Sequence, residues 1–501
     1  MTVARRLLLF VAVASSAAVP ALRGNDNAAV AAALVALAGL VVVYLVKERW
    51  RSQGSWLLEL PVLVVLVYAF WHLALWPFVL LGRAGPSRLR LLQMAAGDAT
   101  TAALALCVAG LAWLSLGALA GMGRSRLAPL GWLPARSWVV HFVLVLGTAL
   151  IALYFVVKGH RAMGRYSVVF TEADPARRLY NLGVLLVLGG LGAVLVFGRS
   201  LALRAVGVFL LALPGIVVTT LVGSRWVLFS AFLAALAAWS MRGRKLPALR
   251  LAVLFVALIL AGTWIKEYRR YGVAPDLHTL FVKREAFPVV EFFQEIGQTF
   301  VVVARTVDRY GQEESFRYGA TIFQAGLSVV PSGARLAGAL EERPMYELAR
   351  ELFPEEFGAE GFTIGFSVVA ELFLNFGVPG VAVGMWLIGY GFGAWYRRAL
   401  VRRRARVIFP LLAVFAIFVF GMRNDFMTWV RYAVWSGLAL SRRGPAVRWA
   451  AGEATASSYG RSPACLTDWH TFRRSFPRLA TALKPWRSWR WRSLSRSWCF
   501  P

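Results

Sequence analysis

The sequence predicts an all-α polytopic membrane protein with about twelve transmembrane helices and one large external loop that contains short amphipathic helices and a re-entrant segment. Hydrophobic residues make up 59% of the 501 residues, compared with about 45–50% in soluble globular domains. They are collected into runs of about 16–25 residues, the length of a helix that crosses a bilayer core of about 30 Å. The runs are continuously apolar, so each predicts a helix whose backbone groups pair within it.

The individual spans follow from these runs. They are predicted at residues 5–22, 27–46, 56–81, 96–121, 137–157, 180–197, 203–222, 226–241, 248–265, 379–396, 406–421 and 426–440. The first span starts with Arg5 and Arg6 and ends in an Ala-rich stretch, which also suits a cleavable signal peptide. A retained anchor is preferred, because a multi-span protein needs no removable signal.

The spans divide the chain into four parts. Residues 1–265 contain the first nine predicted transmembrane helices, and residues 266–378 contain the large extracytoplasmic loop and the re-entrant segment. Residues 379–441 contain the last three predicted spans. Residues 442–501 form a basic tail rich in Trp, Ser and Arg, which is predicted to be disordered because it has no helical or alternating period.

Clusters of Lys and Arg predict the orientation. The densest short clusters between spans lie at residues 242–250 and 397–406, with four and six basic residues. Placing them in the cytoplasm by the positive-inside rule puts both termini inside and the 266–363 loop outside. The 158–178 loop is an exception, because it is placed outside although it holds five basic residues. Either a missed or extra span before residue 180 or an external surface for an anionic ligand explains it.

The net charge of +30 would suggest a nucleic-acid partner in a soluble chain. Here much of the charge flanks the membrane on the cytoplasmic side, where anionic headgroups attract Lys and Arg. The tail at 442–501 adds 12 basic and 2 acidic residues. No nucleic-acid partner is therefore predicted.

The large loop differs in composition from the rest of the chain. Residues 266–363 hold 15 acidic and 11 basic residues. Apolar residues recur at helical spacing over 287–310, which predicts a helix that lies on the membrane or caps the bundle. A second short amphipathic helix is predicted at 345–353. The apolar segment 366–377 is too short to cross, and Val378-Pro379-Gly380 follows it, so a re-entrant or half helix is predicted there. Together these features favour a folded cap over an external cavity.

The common motifs of soluble enzymes are not found in the sequence. It has no phosphate-binding Gly-Lys loop, no His-Glu-x-x-His and no Gly-x-Ser-x-Gly. The three cysteines and five histidines have no metal-ligand spacing and form no disulfide framework. Neither a metal site nor a cofactor is predicted, and the sequence does not favour an ATP-driven pump.

Charged residues instead occur at the predicted external ends of spans. Arg225 follows Gly223-Ser in a short break between two apolar runs, and Arg423 and Asp425 lie in another such break. Glu371 lies in the short apolar segment. Two arginines at one depth are suited to clamp a pyrophosphate through their paired donors, and Glu371 or Asp425 is suited to pair with them or act as a base. The alternative is that each charged side chain only extends to the lipid headgroups at the membrane surface and has no role in the site.

At this point the sequence resembles a known family. The motifs, in order, are Gly223-Ser-Arg225, Glu295-Ile-Gly-Gln-Thr-Phe300, Tyr318-Gly-Ala-Thr with Val330-Pro331, Gly365-Phe-Ser-Val-Val-Ala-Glu371 and Asn375-Phe-Gly377. With the long external loop, this order is similar to the O-antigen polymerases, the Wzy-type oligosaccharide repeat-unit polymerases. The resemblance covers roughly residues 180–440 and leaves out the tail.

The resemblance implies a multi-pass glycosyltransferase of the bacterial cytoplasmic (inner) membrane. Its substrate would be an undecaprenyl-pyrophosphate-linked oligosaccharide, and its partners a flippase and a chain-length regulator. The resemblance carries substrate or catalytic roles over to Arg225, Glu371 and Arg423, and Asp425 is the second candidate carboxylate. Further substrate-binding candidates are Arg305, Arg317 and Arg335, for which a solvated loop charge is the alternative.

Three rival functions remain open. An O-antigen ligase-like enzyme would share the architecture and transfer the glycan to another acceptor. A transporter or flippase of lipid-linked sugars would require internal repeats with paired broken helices, whereas the sequence shows one convincing broken segment, near 377–380. A non-catalytic scaffold would need no polar cluster that lines a cavity.

Overall fold

The structure is a computed structural model that describes residues 3–23, 27–53, 59–84, 99–123, 130, 137–158, 177–197, 213, 225–242, 248–271, 288–311, 316–330, 343–352, 354 and 365–441. The predicted span at 203–222 lies outside the described residues except for residue 213. The predicted disordered tail at 442–501 also lies outside them.

Within these residues every regular element is a helix, so the predicted all-α class is confirmed. The helices are α1 (Val3–Ala21), α2 (Ala28–Gln53), α3 (Leu60–Leu73), α4 (Trp76–Leu80), α5 (Thr100–Met122), α6 (Ser137–Lys158), α7 (Arg177–Phe197), α8 (Arg225–Met241), α9 (Ala248–Tyr271), α10 (Pro288–Ile296), α11 (Thr299–Arg309), α12 (Ala320–Leu327), α13 (Pro344–Leu352), α14 (Val368–Arg402), α15 (Ala405–Gly421) and α16 (Phe426–Ser441). The four helices α10 to α13 are called the cap below.

Three helices in the described part of the chain are long and apolar enough to cross a membrane. They are residues Ala28–Lys47 of α2, Thr100–Met122 and Val368–Arg402. Shorter apolar helices in the same residues are Leu60–Leu73, Phe142–Val157, Leu182–Gly192, Val227–Met241, Ala252–Lys266 and Val407–Gly421. These helices support a membrane protein, while the count of about twelve spans stays a prediction.

The centre of the bundle is the pair of helices α5 and α14, which approach each other through glycines. Gly117 and Gly121 of α5 lie against the backbone of α14, and Gly389 and Gly393 of α14 lie against the backbone of α5. A Cβ atom added at any of these positions would overlap main-chain atoms of the other helix. The four-residue spacing is the small-residue pattern by which helices pack closely in membranes. It fixes α14, which carries the candidate site, against α5, most of whose residues are buried.

Two helices break where the sequence predicts continuity. The predicted span at 56–81 forms α3 and α4, which are separated at Ala74 and Leu75 just before Pro77. The predicted helix at 287–310 forms α10 and α11, which are separated at Gly297. Both predictions of a single helix were wrong for one reason. The two breaks touch, since a Cβ on Gly297 would overlap the Leu75 backbone, and this close approach cannot be read from periodicity.

The cap lies against the bundle rather than standing apart from it. Helix α11 buries Phe300, Val303 and Val307 and contacts α3, α5 and α14. Of the two placements expected for this segment, the structure therefore supports capping. Helix α13 agrees closely with the helix predicted at 345–353.

Helix α14 is kinked at Gly377, where φ is 63° and ψ is −153°. A side chain is disfavoured there because φ is positive, and a Cβ would also overlap the ring of Phe316. The kink lies where the sequence predicts the end of a half helix. The re-entrant course of the preceding residues stays a prediction. Helices α15 and α16 agree with the predicted spans at 406–421 and 426–440.

Candidate active site

The site is built around the first turn of α14. The Ser367 hydroxyl caps this helix by accepting from the backbone N–H groups of Val369 and Ala370, as is typical of a serine N-cap. Glu371 lies in the first turn and is 1% exposed, near the helix end that favours negative charge. Its carboxylate accepts from the backbone N–H of Phe426 at 2.5 Å. The α14 N-terminus is thereby joined to the start of α16.

Asn375 lies one turn further along α14 and is fully buried. Its Nδ2 donates to Thr321 Oγ1 and to the Glu371 carbonyl, both at 2.7 Å. Its Oδ1 accepts from the Gly319 backbone N–H at 3.0 Å. Thr321 also hydrogen-bonds the Glu371 side chain. Asn375 therefore links the cap helix α12 to the carboxylate that the sequence predicts to be catalytic.

A bidentate ion pair lies beside this carboxylate. Arg343 Nε donates to Asp425 Oδ2 at 2.7 Å, and Arg343 Nη2 donates to Asp425 Oδ1 at 2.9 Å. The Thr428 hydroxyl and backbone N–H also donate to Oδ1, at 2.6 and 3.0 Å. Burial alone raises the pKa of Asp425, but the Arg343 guanidinium and the Thr428 hydrogen bonds hold that pKa below its ordinary value. The Asp425 side chain is thus a buried carboxylate whose charged form is stabilised by Arg343 and Thr428.

Arg423 lies in the same tight turn, residues 422–425 between α15 and α16. Its carbonyl accepts from the Phe366 backbone N–H at 2.9 Å, and its guanidinium carbon lies 5.9 Å from the centre of the Trp71 ring, within cation–π range. Gly365, with φ of 75°, allows this approach because a Cβ there would overlap the Arg423 carbonyl. The turn therefore lies directly against the segment that leads into α14.

A histidine that the sequence did not single out contacts the same segment. His72 of α3 is fully buried, with Nε2 2.8 Å from Ser367 Oγ and Nδ1 3.0 Å from the Tyr68 carbonyl oxygen. Because a carbonyl only accepts, Nδ1 carries the proton in the tautomer that fits this network. Nε2 of the neutral ring then accepts from the Ser367 hydroxyl. A polar residue inside an apolar run was the available signal.

Two of the loop arginines predicted from sequence, Arg305 and Arg317, lie in a second group of charges, the cap network, which joins α11 and α13. It contains Arg305, Asp308, Arg309, Tyr310, Arg317, Glu347, Arg350 and Glu351. Arg305 pairs with Glu351 and with Asp308, and Arg317 pairs with Glu347. The pairing with Glu351 and Asp308 raises the pKa of Arg305 although partial burial opposes this.

The cap network borders an open cavity of about 470 Å³ that is lined by Arg309, Glu347, Arg350 and Glu351. Tyr310 donates a hydrogen bond of 2.9 Å to Glu347. Burial and this carboxylate raise the pKa of Tyr310 to about 12. Side chains of both signs around one cavity suit contact with a polar ligand.

The structure thus brings together three of the residues predicted from sequence, namely Glu371, Arg423 and Asp425. It describes Arg225 only as the first residue of α8, and the predictions for its side chain and for Arg335 lie outside the described residues. Arg343 was missed, because an arginine in the large loop looks like any other solvated loop charge. Its pairing with Asp425 spans 82 residues, which no local pattern reveals.

Fold and site together define an all-helical membrane protein with a buried acidic and basic cluster at one end of its central helices. Residues 205–441 match the family model described as O-antigen polysaccharide polymerase Wzy. The match confirms the resemblance found in the sequence and supports the Wzy-type family for this chain. Neither the curated proteins nor the solved structures give a match.

The matched region contains every residue predicted from sequence to belong to the site, together with Arg343. His72 precedes the matched region. The match to this family supports a role in polysaccharide biosynthesis at a membrane. In the general sense, that role is the polymerisation of lipid-linked oligosaccharides.

Proposed function

We propose that the protein is a membrane glycosyltransferase that polymerises undecaprenyl-pyrophosphate-linked oligosaccharide repeat units into a surface polysaccharide. The reaction takes place at the outer face of the bacterial cytoplasmic membrane, with both termini of the chain in the cytoplasm. The observation that carries this proposal is the buried Glu371 carboxylate beside the 422–425 turn, within the part of the chain that matches the family model.

The chemistry suits these residues. A sugar hydroxyl of one lipid-linked glycan attacks the anomeric carbon of another, the bond from that carbon to the polyprenyl pyrophosphate breaks, and the pyrophosphate leaves with the electron pair. Glu371 is the proposed base for the hydroxyl proton, and Asp425 is the second candidate. Arg423 and Arg225 are the proposed donors that stabilise charge on the leaving pyrophosphate.

Binding of the glycan itself is proposed for the cap. Arg305 and Arg317 lie in the cap network, which borders an open cavity of about 470 Å³, and Arg335 belongs to the same loop. The proposed partners are a flippase, which delivers the outward-facing substrate, and a chain-length regulator.

The experiment uses cells in which the gene is deleted and replaced by variants of the full chain, with the length ladder of the surface polymer as the readout. We expect Glu371→Gln, Arg423→Ala and Arg225→Ala to abolish elongation while the protein still inserts. Arg404→Ala is the matched control, since Arg404 is exposed beyond the other end of α14. A normal ladder from an inserted Glu371→Gln variant would remove Glu371 from the proposed site.

The product distinguishes the rival functions. A polymerase leaves a lengthened glycan on the polyprenyl pyrophosphate in purified membranes, whereas a ligase-like enzyme moves the glycan to another acceptor. A transporter moves single repeat units across the bilayer without new glycosidic bonds. A lengthened lipid-linked product made by the purified full chain supports the polymerase, and its absence with active wild-type protein contradicts it.

A further inference from the structure

We propose that Arg343 is a positioning residue of the reaction, and that the Arg343–Asp425 pair fastens the cap to the turn that carries Arg423. In this view the charge of Asp425 orients the site and takes no proton from the substrate. The inference rests on the proposed function, and it gives Asp425 a different role from the base considered above.

The first argument is how completely the Asp425 carboxylate is engaged. Oδ1 accepts from Arg343 Nη2 and from both the hydroxyl and the backbone N–H of Thr428, and Oδ2 accepts from Arg343 Nε. The side chain of Asp425 is 1% exposed and that of Arg343 is 8% exposed. A base must reach the proton that it removes, and the four hydrogen bonds from Arg343 and Thr428, which occupy both oxygens of Asp425, leave it badly placed to do so.

The second argument is what the pair joins. Arg343 immediately precedes the cap helix α13, and its carbonyl accepts from the backbone N–H groups of Tyr346 and Glu347 in the first turn of that helix. The guanidinium of Arg343 therefore fixes the start of α13 to the 422–425 turn. The flanking segments 331–342 and 355–364 lie outside the described residues, and within the described ones this pair is a direct link from α13 to the site.

The third argument is the position of Asp425 between two groups that the reaction would use. The residue after it, Phe426, donates its backbone N–H to Glu371. Two residues before it, the Arg423 carbonyl accepts from Phe366, just ahead of the α14 N-cap. A shift of Asp425 therefore moves the proposed base and the proposed pyrophosphate-binding arginine together.

Substitutions can distinguish the effect of the two charges on activity from the effect of the shape of the pair. Removing one partner leaves the other charge buried without this ion pair, whereas a neutral pair of similar shape avoids that penalty. If the pair only positions the site, Arg343→Gln and Asp425→Asn should each be harmful, and the two together should be less harmful than either alone. If Asp425 is the base, every variant with Asn at this position should lack activity.

The test uses the purified full chain in vesicles with a polyprenyl-pyrophosphate-linked repeat unit as substrate, and measures kcat and KM separately. We expect each single variant to lose about 100-fold or more in kcat/KM, and the double variant to recover about tenfold over either single variant. Arg343→Lys should retain more activity than Arg343→Gln.

A second readout does not depend on activity. Hydrogen exchange of the α13 amides should speed up in both single variants and return towards the wild-type rate in the double variant. Lys266→Gln is the control, since it breaks the pairs with Glu291 and Glu295 and should leave exchange in α13 unchanged. A double variant that exchanges normally but is as inactive as Asp425→Asn would overturn the proposal, as would unchanged exchange in the single variants. Inactive wild-type protein would instead contradict the proposed function.

Discussion

Among the residues that the structure describes, two regions bring arginines and carboxylates together under very different conditions. In the Arg343–Asp425 pair the side chains are 8% and 1% exposed. In the cap network Arg305 is 26% exposed and Arg309 is 39% exposed. The chemical groups are the same, and the cap network has more ion pairs, yet the two regions should differ greatly in how much each pair matters.

The difference lies in hydration. Exposed pairs typically contribute about 0–1 kcal/mol, because water already solvates both charges and salt screens them. A buried pair adds little over an apolar pair of the same shape, but losing one partner costs about 3–5 kcal/mol because the other charge stays buried. The number of ion pairs in a region is therefore a poor guide to their importance, and we expect substitutions in the buried Arg343–Asp425 pair to cost more than substitutions in the cap network.

The largest expected effect comes from Arg343→Ala. We expect it to lower the free energy of unfolding by about 3–5 kcal/mol, because it leaves the Asp425 carboxylate buried without its guanidinium. Arg305→Ala, the matched change in the cap network, should lower it by less than about 1 kcal/mol. Denaturation of the purified protein in detergent micelles measures both. Equal losses from the two variants would refute the contrast between the regions.

A neutral side chain in the buried region tests whether burial without charge is enough to make a substitution costly in free energy of unfolding. Asn375→Ala removes the partners of the Gly319 N–H and of Thr321, and we expect a loss of about 1–3 kcal/mol. Asn424→Ala is the control, since its side chain has one backbone bond, to the Phe420 carbonyl. A loss at Asn375 no greater than that at Asn424 would mean that the α12–α14 link contributes little.

The N-cap of α14 should have a smaller effect. Ser367→Ala removes the acceptor for two backbone N–H groups and the donor to His72, and loss of a serine cap costs about 0.5–2 kcal/mol. Ser367→Thr should retain most of the stability because it keeps the hydroxyl. Thermal unfolding of the two variants in the same detergent measures the difference. Loss of stability in Ser367→Thr as large as in Ser367→Ala would contradict a role for the hydroxyl.

The sequence predicted the helices well where one apolar run corresponds to one helix. The bounds of α15 and α16, the cap helix α13 and the break near Gly377 all follow from hydropathy and from Gly and Pro. It failed at Gly297 and Leu75, where two chain breaks touch. Such contacts are tertiary, and periodicity carries no information about which distant residue lies opposite a glycine.

The site was predicted in part for a similar reason. Glu371, Arg423 and Asp425 are charges in or beside apolar segments, and burying a charge there is costly enough to mark them for attention. Arg343 lies in a charged loop, where one arginine looks like another, and only the fold shows that it is buried. His72 was visible as a polar residue in an apolar run, but its link to Ser367 depends on how α3 and α14 pack.

The smallest expected effect concerns Tyr310 in the cap network. Burial and the Glu347 carboxylate raise its pKa from 10.0 to about 12, so the fold favours the neutral phenol. Its contribution to stability is therefore complete below pH 10 and is lost as the pH rises towards 12. The difference in phenolate absorbance between the wild type and Tyr310→Phe isolates this group and should show a midpoint near pH 12. Glu347→Gln should lower that midpoint while burial keeps it above the ordinary value. A midpoint at 10 in the wild type would show that Tyr310 is solvated and that the cap network does not hold it.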